Sequence, residues 1–228
     1  MTELTKEVIE DIKDKKEISV SYIQRNYGVG FLVANTMFAQ LITEKFINQN
    51  GKVNKKNIYK ELGIEPRPEI KVIFLDIDGV LNCSTTKDLC EFYTGIEDKK
   101  VAILKQIVDA TDAKIVLIST WRYTWNKDPK HKSEQEELAT YLDEKLAAQG
   151  LTIFDKTDNE AIGRGQGIID YIDNLKANGV DVEEFVIIDD EMFDYKATKL
   201  TNHLIQTGYK DGLTKKHIRH AIEKLNTI

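Results

Sequence analysis

The sequence predicts an α/β domain built on a parallel sheet, preceded by a small helical unit of helix-turn-helix type. Three observations predict it. From residue 71 onward, short apolar runs such as Val72 to Leu75, Ile115 to Ile118 and Phe185 to Ile188 alternate with amphipathic stretches, the rhythm of strand–helix–strand units. Ahead of them, Pro66-Arg67-Pro68 holds two of the three prolines and enforces an extended connection. The residues before that break carry helical periodicity interrupted by Gly28-Val29-Gly30. A length of 228 residues fits a medium domain with a small companion, and 41% hydrophobic against 31% charged residues excludes disorder, collagen and coiled coil. The expected division is residues 1–66 and 67–228.

In the first part, Leu4 to Lys16 places Leu4, Val8, Ile9 and Ile12 on one helical face. Ser19 is the expected N-cap of a second helix through Tyr27, and Phe31 to Thr43 forms a third. Phe46-Ile47, the turn Asn48 to Gly51 and Lys52-Val53 predict a hairpin wing, because Asn-Gly favours a two-residue turn. In the second part, strands are expected at Lys71 to Leu75, Lys114 to Ile118, Leu151 to Phe154, Phe185 to Ile188 and His203 to Gln206. Helices are expected near Lys99 to Ala110, Ser133 to Gln149, Gly167 to Asn178 and Thr214 to Leu225. Ser133 to Glu136 reads as a capping box and Gly150 as a stop, while His217 reads as a helix-surface residue.

Composition narrows the partners. Residues 1–69 carry 11 Lys+Arg against 10 Asp+Glu, a net +1, and the remainder carries 21 against 28, a net −7. Neither half is an electrostatic magnet for nucleic acid. No apolar run approaches the roughly 18 to 20 residues that span a bilayer, so no membrane association is expected. Without a secretory leader at the start, Cys83 and Cys90 read as reduced thiols and the chain as cytoplasmic.

Three predicted strands end in polar groups: Asp76-Ile77-Asp78-Gly79, Ser119-Thr120 and Asp189-Asp190. A parallel sheet delivers all its C-terminal strand ends to one edge, so these residues converge on one crevice. Asp76, Asp78, Asp189 and Asp190 would repel one another there unless a cation joined them, and an all-oxygen donor set suits Mg²⁺. Taken singly, an Asp or Ser ending a strand is a turn former or a cap; taken together in this order, they read as a catalytic constellation.

Asp76-Ile-Asp-Gly-Val80 after a strand, a hydroxyl residue ending the next strand, a basic residue at a helix start and Asp-Asp after a later strand resemble the four ordered motifs of the haloacid dehalogenase (HAD) superfamily of phosphatases. The resemblance covers about residues 71 to 227. Ile118-Ser-Thr-Trp-Arg122, Arg164-Gly-Gln-Gly-Ile168, Val186-Ile-Ile-Asp-Asp190 and Gln206-Thr-Gly-Tyr-Lys-Asp-Gly-Leu-Thr214 look like the branch found in RNA-repair proteins. It implies a Rossmann-like fold and a Mg²⁺-dependent phosphomonoesterase. Asp76 would be the nucleophile and Asp78 the general acid and base. Ser119, with Thr120 as alternative, would bond a phosphoryl oxygen, and Arg164, with Lys156 as competitor, would offset transition-state charge. Asp190 would ligate metal beside Asp76 and the Asp78 carbonyl, with Asp189 or Asp194 in support. Gly79 would let backbone N–H groups approach the phosphate, and Trp121 and Arg122 would hold substrate. The short segment Asn82 to Lys99 implies a minimal cap and an open site suited to a phosphorylated nucleic acid terminus.

Ile18 to Phe31 and Glu44 to Ile47 resemble the winged-helix gamma domain of the FtsK DNA translocase. That resemblance implies DNA contact through Phe31 to Thr43, which has no Lys or Arg, so only weak binding by residues 1–66 is expected. Two rivals from other classes are a DNA-binding regulator with a non-catalytic scaffold and a phospho-acceptor signalling domain. The second gives Asp78 little purpose.

Overall fold

The computed structural model describes residues 3–90, 93–128 and 136–226. The chain divides into two compact units, Met1–Arg67 and Pro68–Ile228.

The first unit packs α1 (Glu3–Ile12), α2 (Val20–Tyr27), α3 (Phe31–Thr43) and α4 (Lys55–Leu62) around Val8, Ile9, Ile12, Ile23, Leu41 and Ile58. The side chain of Leu4, expected on the same face, lies outside the described residues. Ser19 Oγ accepts from the Tyr22 N–H at 3.2 Å, and Gly28 ends α2 at φ 63°. The expected hairpin is reduced to one isolated bridge, Ile47↔Val53, while Lys52 also bridges Glu17. The Gly51 N–H donates to Asn48 O at 2.9 Å and Asn48 Oδ1 takes the N–H groups of Asn50 and Lys52 at 2.9 and 3.0 Å, so backbone and side chain close the turn together. Helix α4 was not expected, because Ile58, Tyr59 and Leu62 leave its apolar stripe only one turn long.

The second unit is a five-stranded parallel sheet in the order β5-β4-β1-β6-β7: β1 Glu69–Leu75, β4 Lys114–Leu117, β5 Ile153–Lys156, β6 Asp181–Asp189 and β7 Leu204–Gln206. A two-stranded antiparallel pair, β2 (Leu89–Cys90) and β3 (Tyr93–Thr94), lies between β1 and α5. Alternation along β1 sends Ile73 and Leu75 to one face with α5 (Asp98–Thr111), α6 (Glu137–Ala147) and α8 (Lys215–Leu225). Val72 and Phe74 go to the other face with α7 (Arg164–Ala177). This is the predicted Rossmann-like architecture, and the chain leaves β1 and β6 toward opposite flanks, opening a crevice at their C-terminal ends.

Local boundaries differ from expectation where distant groups set them. Of the expected capping box, Ser133 to Gln135 lie outside the described residues; Glu136 is the N-cap of α6 and makes no side-chain cap bond. His217 is buried, and its Nδ1 accepts from the Thr214 N–H at 3.0 Å, closing the first turn of α8. Among the described residues, no helix is long and apolar enough to cross a membrane.

Candidate active site

The site begins where β1 stops. The Asp76 N–H donates to Ile188 O at 3.0 Å, extending the β1–β6 ladder by one residue and placing the Asp76 carboxylate, 2% exposed, inside the crevice. Asp78, two residues on, is exposed. Between the two, the turn folds back as Val80 and Leu81 donate to Ile77 O. Gly79 has φ +69°, and a Cβ there would stand 2.2 Å from Asp190 Oδ2, so no side chain fits. Its N–H is already taken by Asn82 Oδ1 at 2.9 Å. Gly79 therefore permits the tight turn and the close packing against Asp190, while its own N–H is engaged by Asn82.

Asp78 is held from two sides: the Asn82 side-chain amide donates to its Oδ1 at 2.8 Å and the Trp121 indole N–H to its Oδ2 at 3.0 Å. Trp121 is 3% exposed, with its ring against Tyr141. Arg122 is 6% exposed and donates to the carbonyls of Ile118 and Ser119. Both side chains expected to hold substrate are therefore buried, with Trp121 bracing Asp78 and Arg122 bracing the end of β4.

The next strand end delivers Ser119, whose buried hydroxyl makes no hydrogen bond yet lies close enough to Asp76 to favour its ionised form. Thr120 is exposed at the start of a 3-10 turn. From α7, Arg164 Nη1 stands 3.0 Å from Asp76 Oδ1 and 2.8 Å from Asp189 Oδ2. Lys156 instead donates to the carbonyls of Arg122 and Trp125, so Arg164 is the cation at the site. Arg164 is the first residue of α7 rather than part of a loop, because Asp194 accepts from the N–H groups of Gly165 and Gln166 at 2.8 and 3.2 Å. A Cβ at Gly163 would meet Asp194 Oδ2 at 2.4 Å, and one at Gly165 would meet Thr198 Oγ1 at 2.4 Å. The Gly-Arg-Gly run is thus the clearance for a cap contributed from 30 residues away, which gives Asp194 a structural task.

Asp189 is fully buried, with Oδ2 taken by Arg164 and by the Tyr195 hydroxyl at 2.6 Å, and Oδ1 by the Glu191 N–H at 3.0 Å. Asp190 is only partly buried. Carboxylate oxygens of Asp76, Asp189 and Asp190 lie within 4.8 Å of one another. Of the four carboxylates expected to converge, the Asp78 side chain is the one held apart, by Trp121 and Asn82. Burial, with the Asp189 charge adding to it against the opposing pull of Arg164, pushes the Asp76 carboxyl up to about 7. Burial and the charges of Asp189 and Glu191 raise Asp190 in the same sense.

This donor set fits a hard dication: clustered carboxylate oxygens are short of positive charge, and Asp76 Oδ1 is buried without a hydrogen bond. Asp76 and Asp190 could ligate it directly, since Asp189 has both oxygens engaged. Sequence reading missed Asn82 and Tyr195. Asn82 carried a faint signal, an Asx residue three positions after Gly79; Tyr195 carried none, because its partner is defined only by the fold.

No curated protein matches the chain. Residues 72–218 match the family described as the HAD domain in Swiss Army Knife RNA repair proteins, a span that includes Asp76, Ser119, Arg164 and the Asp189-Asp190 pair. With its parallel sheet and its cluster of three aspartates at the C-terminal ends of β1 and β6, the chain belongs to that family of HAD hydrolase domains.

Proposed function

We propose that residues 67–228 form a Mg²⁺-dependent phosphomonoesterase that removes a terminal phosphate from nucleic acid through an aspartyl-phosphate. The observation that carries this reading is the split between two neighbouring carboxylates. Asp76 is buried beside Arg164 and Ser119, where a phosphoryl group would be held, whereas Asp78 is exposed and pinned by two donors, where a leaving oxygen would depart.

In this reading an Asp76 oxygen attacks phosphorus. The new bond to Asp76 forms as the bond to the ester oxygen breaks, and Asp78 gives that oxygen its proton. Asp78, now ionised, takes a proton from water as the water oxygen bonds phosphorus and the Asp76–phosphorus bond breaks. The Ser119 hydroxyl, without a partner in the protein, donates to a phosphoryl oxygen, with Thr120 the second hydroxyl at the rim. Arg164 offsets the charge that accumulates between Asp76 and Asp189. Mg²⁺ held by Asp76 and Asp190 would supply the remaining positive charge against the phosphoryl oxygens.

The test is phosphate release from phosphorylated RNA and from an aryl phosphate. Asp76→Asn should abolish it, and a chelator should abolish it reversibly. Near-normal turnover in either condition would reject the mechanism. Asp78→Asn should leave phosphate trapped on the protein, because the second step loses its base.

For residues 1–66 the reading is weak contact with duplex nucleic acid at most, since α3 exposes Phe31, Leu32 and Val33 and offers no cation.

A further inference from the structure

An aromatic ring lies directly on the catalytic arginine. Phe193 sits on the loop after β6, with its ring centroid 4.0 Å from the Arg164 guanidinium carbon, and remains 46% exposed. Its backbone is at φ +37°, a region bulky side chains rarely enter and which persists only where surroundings impose it. Part of that imposition is visible: the Tyr195 N–H donates to Met192 O, closing the turn, and the Tyr195 ring meets Phe193 edge-on at 6.2 Å. Tyr195 is in turn tied to Asp189. The ring is therefore fixed at the mouth of the site by the residues that line it.

Two exposed apolar side chains lie on the loops that flank it in sequence and in the fold. Met192 is exposed on the same loop, and Ile162 is fully exposed on the loop before α7, whose Gly163 packs against Asp194. The unit that holds them is acidic, at net −7 over residues 70–228, so a polyanion gains nothing from long-range attraction. Affinity for a nucleic acid end must come from contacts independent of charge. A fixed aromatic ring backed by a guanidinium provides one, since every nucleobase presents a π-face to stack upon it.

We propose that Phe193 is the stacking platform for the nucleobase adjoining the scissile phosphate, with Ile162 and Met192 as its apolar rim. The proposal rests on the phosphomonoesterase reading for its substrate class. It also differs from a shielding role, in which the ring merely keeps water off Arg164, because an aliphatic side chain would shield equally well.

The experiment compares kcat/KM of the full chain on a short RNA with a terminal phosphate and on the same RNA with an abasic terminal nucleoside. Wild type should prefer the base-bearing end by roughly 5- to 150-fold, the range of one stacking contact. Phe193→Leu should bring that ratio close to one, and Phe193→Tyr should restore it. A second readout needs no turnover: RNA with 2-aminopurine at the phosphorylated end, added to Asp76→Asn protein, should be quenched. The quench should be lost when Phe193→Leu is added. A ratio unchanged in Phe193→Leu, or quenching that survives it, would overturn the platform and leave the hydrolase reading standing. Absence of phosphate release from any wild-type assay would instead remove the hydrolase reading, while quenching would still decide the platform.

Discussion

Asp76 and Asp78 are neighbours in sequence and live in different solvents. Asp76 pays for its position: with burial lifting its carboxyl to about 7, ionisation strains the cation-free fold. The sign follows from linkage. A carboxyl whose folded pKa lies above its unfolded value contributes stability at low pH and loses it as pH rises from about 4 through about 7, by at most about 4 kcal/mol. The cation-free protein should therefore melt lower at pH 8 than at pH 5, and Mg²⁺ should raise Tm more at pH 8; equal increments at both pH values would contradict this. For Asp78 the informative variant is Trp121→Phe, which keeps the buried ring but deletes the donor to Oδ2. One charge-assisted hydrogen bond is worth about 1.5 to 3 kcal/mol, so kcat should fall roughly 10- to 100-fold, with an altered pH profile and a Tm that moves little. These contacts could not be read from the sequence. The positions of Asp76, Ser119 and Asp190 were legible because each follows a strand, and that of Arg164 through the family resemblance, whereas the partnership of Trp121 with Asp78 spans 43 residues and depends on two strand ends meeting.

At the scale of elements, what was legible was what local chemistry decides. The strands of the central sheet announced themselves as apolar runs, because a strand covered on both faces has no polar side to show. The α7 start did not. The helix was expected only from Gly167, and the group that makes it begin at Arg164 is Asp194, on the far side of β6. Helix α7 thus aims Arg164 only while Asp194 holds its first turn. Asp194→Ala should cost about 1 kcal/mol of stability, in line with the loss of a cap. It should also lower kcat more than it changes KM for an aryl phosphate, as Arg164 loses its aim. A stability loss with unchanged kcat would show that Arg164 is positioned by Asp76 and Asp189 alone.

At the scale of the whole molecule, the near-neutral first unit and the acidic second unit set a limit on nucleic acid binding. Each phosphate neutralised contributes roughly 0.9 to the slope of log affinity against log salt. The full chain should bind blunt, unphosphorylated duplex DNA weakly and release it as salt rises. A nanomolar, sequence-selective complex at physiological salt would show instead that the polar residues of α3, Asn35, Thr36 and Gln40, read bases. The two resemblances differ in what carries them: four spaced motifs on one sheet edge in the second unit, a single glycine-broken helix pair in the first.

The Asp76 N–H, donated to Ile188 O between two strands at the middle of the sheet, ties the proposed nucleophile to the sheet's interior. Amides of that kind exchange with solvent deuterium only when the whole unit opens, unlike those of surface turns. Asp76 therefore has no private way of coming loose. On heating, activity and the central sheet should vanish at one temperature, and a partly melted but chemically armed intermediate has no place on the path between them.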